Sequence, residues 1–391
     1  MTKRVLFLIS DTGGGHRSGA QAVGAALDEI EGETRFEWRI DDIATHCTFP
    51  LSQLGPAYSA ALRFAPPIYG ALFHATNGRR RFKSIVRFCE PLYRERLRDS
   101  FLLFKPDVIV SVHPLLNHAA LRARADAGIN VPIVTVITDL GRVHEAWLMP
   151  EADAVVVPAP EVYQRALERG VSPDRLRLLG HPVHPKFEDV SQSKAELRKS
   201  LGLPPDTTIA LLMAGGEGGG KLLPTTLALA KSKLPFHLVV VTGRNAALKA
   251  KLEEIAPRFE IPMTILGFRN DVPSLMRAAD LLVTKAGPGT LAEASITEVP
   301  VVVYDFVPGQ ERGNLDYVRT NGIGVVALTS SDVVQSVSRI VHNQERLAAM
   351  RMRQGNIAPR GSSRRIAELI AEIAISGHVP KAEHRIPAAV S

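Results

Sequence analysis

Three short stretches concentrate residues that could do chemistry: SDTGGGHRS at 10–18, MAGGEGGGKL at 213–222 and TKAGPGTLAEA at 284–294. Each follows an apolar, β-branched run and precedes a helical pattern, so each reads as a strand, a glycine turn and a helix start. Such a turn lets backbone N–H groups and a helix N-terminus face an anion, phosphate above all. In the first stretch Gly14 and Gly15 lead to His16, whose imidazole exchanges a proton near neutral pH. In the third, Gly287, Pro288 and Thr290 precede Glu293, expected in the first turn of a helix beginning near Leu291. A carboxylate there can accept the two hydrogen bonds of a ribose diol. The following strand delivers Gln310, Glu311 and Asn314 on a loop and helix start, and amide side chains, which donate and accept together, suit sugar hydroxyls.

Neither of the first two loops matches a standard nucleotide fingerprint. Gly13 and Gly15 lead to Ser18 where a dinucleotide motif needs glycine, although Asp41 and Asp42 stand where its ribose-binding acid would be, which keeps a nicotinamide-dependent reading open. Gly215, Gly220 and Lys221 satisfy a phosphate-loop spacing, but Leu222 stands where the magnesium-binding hydroxyl belongs. His113, His118, His144, His181 and His184 show no paired helical spacing and the chain has 2 cysteines, so no metal site is expected.

The elements that must position these residues alternate short strands with longer amphipathic stretches, the pattern of βαβ units around parallel sheets. RVLFLI, FEWRI, DVIVSV, PIVTVIT, AVVVP and RLRLLG form one series; TIALLMA, FHLVVVT, MTILG, LLVTK, VPVVVYD and GVVAL form a second. The fold class is therefore α/β with two Rossmann-like domains. The expected limits are 1–185 for the first domain, 186–205 for a proline-bracketed linker, 206–376 for the second domain and 377–391 for a disordered tail. A helical, basic insertion at about 45–103 interrupts the first series, with a helix on either side of Pro91.

With 391 residues, 45% hydrophobic and 22% charged, the chain is long enough for two globular cores, and no run approaches the ~18 apolar residues of a membrane span. Val5–Ile9 behind Lys3 and Arg4 is too short for a secretory h-region, so a cytoplasmic location is expected. The formal charge of +7 is uneven: Arg79–Arg98 carries eight basic residues against two acidic ones. Arg79, Arg80, Arg81, Lys83 and Arg87, interleaved with aromatic and aliphatic residues, fit a membrane surface with arginines on headgroups, or equally a solvated helix with a buried stripe.

SDTGGGHRSGA, VTVITDL with His144 and Trp147 after it, GHPVHPKF, MAGGEGGG, VTGRN, ILGF, TKAGPGTLAEA and GQERGN occur in consistent order over roughly residues 4–345. In these motifs the sequence resembles the monogalactosyldiacylglycerol synthases and bacterial diacylglycerol glucosyltransferases, which are family 28 glycosyltransferases. The resemblance implies a GT-B fold, two Rossmann-like domains facing each other across a cleft, and inverting transfer of galactose or glucose from a UDP-sugar to 1,2-diacylglycerol. It implies no cofactor, no nucleic-acid partner, and a peripheral place on the inner face of the cell membrane. The donor would meet Gly215, Gly216, Glu217, Arg244, Asn245, Phe268, Lys285, Gly287, Pro288, Thr290, Glu293, Gln310, Glu311 and Asn314; the acceptor region would include Gly14, Gly15, His144 and Trp147.

Inverting transfer needs a base for the acceptor hydroxyl and positive charge for the departing diphosphate. His16, with an imidazole pKa near 6.5, is the first choice of base, and Asp139 is the runner-up or the partner that orients it. Lys221 and Lys285 are the candidates to neutralise the diphosphate. A UDP-sugar transferase with another lipid-linked or soluble acceptor, and a non-catalytic or NAD-type nucleotide-binding protein, are the alternatives.

Overall fold

All twelve expected strands form, in two six-stranded parallel sheets. A computed structural model describes residues 1–11, 14–47, 51–215 and 220–382, without the side chains of 46, 51, 54, 59, 63, 79, 80, 82–90 and 92. The first sheet contains β1 (Thr2–Ile9), β2 (Arg35–Asp42), β3 (Val108–Ser111), β4 (Ile133–Val136), β5 (Ala154–Val157) and β6 (Leu176–Leu178), in the order β2-β1-β3-β4-β5-β6. Its helices are α1 (Gly15–Asp28), α2 (Ile43–His46), α3 (Leu54–Phe64), α4 (Pro66–Thr76), α5 (Arg79–Phe104), α6 (Asn117–Asp126) and α7 (Pro160–Glu168).

Val5–Ile9 is apolar throughout because both faces of β1 are covered, as in parallel sheets generally. Val5, Phe7 and Ile9 join one core cluster with α1, while Leu6 and Leu8 join another with α5 and α6. Helix α5 is continuous through Pro91, where separate helices were expected. Tyr93, Leu97, Phe101 and Phe104, spaced at helical period, anchor its second half in the core, and that packing outweighs the hydrogen bond lost at proline.

The second sheet contains β7 (Ile209–Met213), β8 (His237–Val241), β9 (Met263–Leu266), β10 (Leu281–Lys285), β11 (Val301–Asp305) and β12 (Gly324–Val326), in the order β12-β11-β10-β7-β8-β9. Around it run α8 (Lys194–Ser200), α9 (Leu222–Lys231), α10 (Ala246–Ile255), α11 (Val272–Ala278), α12 (Pro288–Ile296), α13 (Arg312–Thr320), α14 (Ser330–Val341) and α15 (Gln344–Ile357).

The chain divides into two compact units, Met1–Pro185 with Pro308–Gln310 and Gly361–Ser391, and Lys186–Val307 with Glu311–Arg360. This corrects the expected limits in two places. The segment 186–205 is built into the second unit: Ser193 and Glu196 form a reciprocal cap on α8, and Lys194 and Arg198 both bond Asp280 at 2.6 Å. The last helix, α16 (Ser362–Ser376), belongs to the first unit rather than the second. Ile366, Ile370 and Ile373 lie on one face, fully buried in the core shared with α1, each contributing on the order of 2 kcal/mol. Ser362 and Ser363 fix its start by donating to the carbonyls of His181 (2.6 Å) and Val183 (2.7 Å). Of the expected tail, 377–382 is described and 383–391 lies outside the described residues.

In each sheet the chain order reverses beside the first strand, at β1/β3 and at β7/β10. Parallel sheets bind ligands outside the carboxyl ends of strands at such a reversal. The loops leading to His16 and following β4 lie at the first of these ends, and the loops after β7 and β10 at the second.

Candidate active site

In the first unit, α1 starts at Gly14, whose φ of 72° favours glycine, and no side chain caps the helix. A Cβ on Gly14 or Gly15 would meet open space, so the turn leaves room beside the first turn of α1. His16, in that turn, points into the protein and is 7% exposed. Its Nδ1 lies 3.2 Å from Thr138 Oγ1, the ring also hydrogen-bonds the Val112 backbone, and it makes edge contact with the His113 ring at 4.5 Å. Burial pulls the His16 pKa down to about 4, against the value near 6.5 expected from sequence.

Asp139 is not the group that orients His16; the neighbouring Thr138 hydroxyl holds that position. The Asp139 carboxyl is buried and accepts a 2.6 Å hydrogen bond from Trp147 Nε1, with a second from the Gln310 side chain. Burial raises its pKa from 3.8 to about 6, the two hydrogen bonds holding it lower than burial alone would. Trp147 is fully buried, and its ring lies 5.8 Å from His16, so it stands between the two candidate bases. Gln310 Oε1 accepts from Tyr58 Oη (3.2 Å) and Tyr69 Oη (3.1 Å), which turns the amide nitrogen toward Asp139.

His144 precedes the short 3-10 turn 145–147 and caps it, its Nδ1 accepting from the Ala146 N–H at 3.1 Å. The proton therefore sits on Nε2, which is 3.3 Å from Thr76 Oγ1, and burial lowers this histidine's pKa to about 4. His181 is buried as well, Nε2 lying 3.0 Å from the Thr138 carbonyl, and its pKa also falls to about 4. Thr138 is thus pinned through its hydroxyl by His16 and through its carbonyl by His181, immediately before Asp139. Sequence reasoning singled out neither Thr138 nor the two tyrosines; the signal available was the strand end VTVITD followed by a carboxylate.

In the second unit, α12 begins at Pro288 rather than near Leu291, because proline's fixed φ suits the first helical position. Glu293 accordingly falls in the second turn. It is half-buried, no side chain among the described residues donates to it, and burial pushes its carboxyl up to about 8. No side chain caps α12 at Gly287, which leaves its first N–H groups for a ligand or water. A Cβ on Gly287 would lie 3.8 Å from Glu311 Oε1 and 3.9 Å from Thr290 Oγ1, so these three residues adjoin. Asn314 Nδ2 donates to the Ala286 carbonyl at 2.8 Å and Glu311 Oε2 accepts from the Val307 N–H at 2.7 Å, so both buried side chains shape the turns around the helix start.

Lys285 ends β10 near Gly220, and Lys221 Nζ donates to the Leu328 carbonyl at 3.2 Å, 3.9 Å from Asp305. Arg244 and Phe268 form a separate pair at the ends of β8 and β9, the guanidinium 4.6 Å from a ring that is 51% exposed. Asn245 next to them caps α10, its Oδ1 accepting from the Leu248 N–H at 2.9 Å. Gly215 has a φ of 81°; Gly216 and Glu217 lie outside the described residues. Among the membrane candidates Arg81 is exposed, and the side chains of Arg79, Arg80, Lys83 and Arg87 lie outside the description. Among the described residues no group of three His, Cys, Asp or Glu could hold a metal ion, and no helix is long and apolar enough to cross a membrane.

Residues 16–183 match the monogalactosyldiacylglycerol (MGDG) synthase family model, and residues 220–366 match the glycosyltransferase family 28 C-terminal domain. Monogalactosyldiacylglycerol synthase 3, chloroplastic, of Arabidopsis thaliana is 34% identical over 396 residues, 98% of this chain and 83% of the relative. The chain belongs to the monogalactosyldiacylglycerol synthase family. The synthase of Spinacia oleracea is 35% identical over 346 residues, 86% of this chain but 66% of the relative, so the chain spans slightly less than two thirds of that protein. Solved structures similar to it include MurG of Acinetobacter baumannii (TM-score 0.60, 15% identity, 95% of this chain and 99% of that one). UDP-GlcNAc 2-epimerase of Neisseria meningitidis, bound to UDP-GlcNAc, is comparable (TM-score 0.62, 15% identity, 95% and 100%). At such identities the likeness establishes the fold, which is GT-B.

Proposed function

We propose that this family member is an inverting hexosyltransferase that moves galactose or glucose from a UDP-sugar to the hydroxyl of 1,2-diacylglycerol. The observation that carries the reading is its 34–36% identity, over 86% or more of its length, to proteins named monogalactosyldiacylglycerol synthases. The second unit is the donor side: the uncapped start of α12 suits a diphosphate, Glu293 a ribose diol, and the exposed Phe268 ring a base. The first unit is the acceptor side.

The base we assign is Asp139. With a pKa of about 6 it is ionised at neutral pH yet basic enough to take a hydroxyl proton, whereas an imidazole of pKa about 4 is a far weaker acceptor. In the step, the acceptor oxygen bonds to the anomeric carbon as the bond from that carbon to the diphosphate breaks; the proton passes to Asp139 and UDP leaves with the bonding electrons. Trp147 and Gln310 aim the carboxylate, and His16 and His181 hold the backbone ahead of it, which makes His16 a positioning residue.

Purified protein incubated with labelled UDP-galactose or UDP-glucose and diacylglycerol vesicles is expected to yield a lipid-soluble monoglycosyl product of inverted anomeric configuration. It should do so equally after treatment with EDTA. Absence of labelled lipid from both donors would overturn the reading.

A further inference from the structure

The loop after β11 is a closed finger. At its neck the Glu311 N–H donates to the Val307 carbonyl at 3.0 Å and the Val307 N–H donates to Glu311 Oε2 at 2.7 Å. Its tip, Pro308–Gln310, belongs to the first unit and lies against α4. Two glycines permit that approach. A Cβ on Gly70 would lie 2.8 Å from Pro308 Cβ, and Gly309, with a φ of 82°, would bring a Cβ to 2.8 Å from the Phe73 side chain.

Three side chains hydrogen-bond the Gln310 amide at this tip: Asp139, Tyr58 on α3 and Tyr69 on α4. Their chemistry fixes which way the amide points. An ionised carboxylate only accepts hydrogen bonds, so it faces the amide nitrogen, which leaves the oxygen to the two hydroxyls. Both hydroxyls then donate, at 3.2 and 3.1 Å, and both lone pairs of Oε1 are filled. The two tyrosine rings hold each other edge to face, with centroids 5.4 Å apart. An oxygen so occupied has no acceptor site left for a sugar hydroxyl, the part that the sequence suggested for Gln310.

We propose that Tyr58 and Tyr69 are positioning residues for the transfer, acting through Gln310 on Asp139, and that Gln310 serves the base and not the donor hexose. This deepens the proposed function and rests on it for the role of Asp139. One hydroxyl suffices to satisfy a carbonyl oxygen. With neither, Oε1 loses both partners, and the side chain turns toward water and takes its N–H away from the carboxylate. Among the described residues no ionised side chain acts on Asp139. The histidines nearest to it, His16 on α1, His113 after β3, His144 and His181, are all held neutral at pH 7 by burial. The amide and the Trp147 indole are therefore what stabilise its charge.

The test has a spectroscopic arm that needs no turnover. In a Trp38→Phe background Trp147 is the single tryptophan, and its indole, bonded to Asp139, reports protonation of the carboxyl as a fluorescence titration. The midpoint is expected near 6 with both tyrosines or with either one. It should lie about one pH unit or more higher in the double variant Tyr58→Phe, Tyr69→Phe, which keeps both rings. Gln310→Met, of similar length but without the donor, should raise it as much and serves if the double variant does not fold. The kinetic arm follows labelled hexose transfer from the UDP-sugar to diglyceride. In the double variant kcat should fall about fivefold at pH 6 and stay within about twofold of wild type at pH 9, with KM for the UDP-sugar unchanged. A midpoint unmoved in either variant, or a loss of kcat that is flat across pH, would overturn the proposal. So would a KM for the UDP-sugar raised at every pH with kcat intact, which would return Gln310 to the hexose. A midpoint that moves as expected in a protein that transfers no sugar would leave the hold on Asp139 standing and sink the proposed function alone.

Discussion

Replacing Trp147 by phenylalanine removes one hydrogen bond from a buried carboxylate and keeps an aromatic ring beside His16. The Trp147 Nε1–H to Asp139 Oδ2 bond is 2.6 Å long and made where water does not compete. A hydrogen bond to a charged group contributes about 1.5–3 kcal/mol, and about 1.4 kcal/mol corresponds to one pKa unit. Because the bond favours the ionised form, its loss raises the Asp139 pKa, from about 6 to roughly 7–8. The ionised fraction at pH 7 then drops from about nine tenths to between about a half and a tenth. The assay is kcat/KM for labelled hexose transfer to diglyceride in mixed micelles between about pH 5 and 9.5. Wild type should show an acidic limb near 6; Trp147→Phe should show it one to two units higher, with most of the deficit recovered by about pH 9. The smaller ring also leaves a cavity, costing about 1–3 kcal/mol of stability that thermal unfolding reads separately. A variant-to-wild-type ratio that is low but flat across pH would refute the reasoning, since Trp147 would then act by packing and not on the carboxyl.

Both tryptophans of the chain, Trp38 and Trp147, belong to the first unit, so their fluorescence follows its unfolding alone. His16, His144 and His181 have folded pKa values of about 4, below the unfolded value of 6.5, so the unfolded chain binds more protons between those limits. Their stabilisation is present above pH 6.5 and lost toward pH 4, on the order of 3 kcal/mol each, while Asp139, raised from 3.8 to about 6, offsets about one of them. The urea midpoint read by tryptophan fluorescence should therefore fall between pH 6.5 and 4; a midpoint that rises with acid would contradict these burials. In the second unit, a ribose diol on Glu293 favours the ionised carboxylate, so UDP binding near pH 7 should release close to one proton. Calorimetry in buffers of different ionisation enthalpy measures it, and zero net release would remove Glu293 from the ribose. Asn245→Ala should cost about 1 kcal/mol of stability through the lost cap on α10, with UDP affinity unchanged; a large affinity loss with no stability change would assign the side chain to the nucleotide instead.

The sequence by itself determined the two parallel sheets, because a strand covered on both faces must be apolar, as the central runs of β1, β3, β4, β5, β7, β10 and β11 largely are, while the edge strands β2 and β6 carry charged residues yet keep the alternation with helical stretches. It also located the glycine turns, since the turn after a strand is a local event recorded in neighbouring residues. The tertiary structure decided what depends on distant residues meeting. The fate of α16 was invisible locally, because its stripe of isoleucines fits any apolar face and only packing against α1 selects the first unit. So was the protonation of the site. A histidine after three glycines reads as a free imidazole, but 122 residues further on Thr138 receives it in a buried position that drops its pKa to about 4. Asp139 rises toward neutrality in the same interior, because burial penalises charge in either sign and thereby weakens the imidazole as a base while it strengthens the carboxylate.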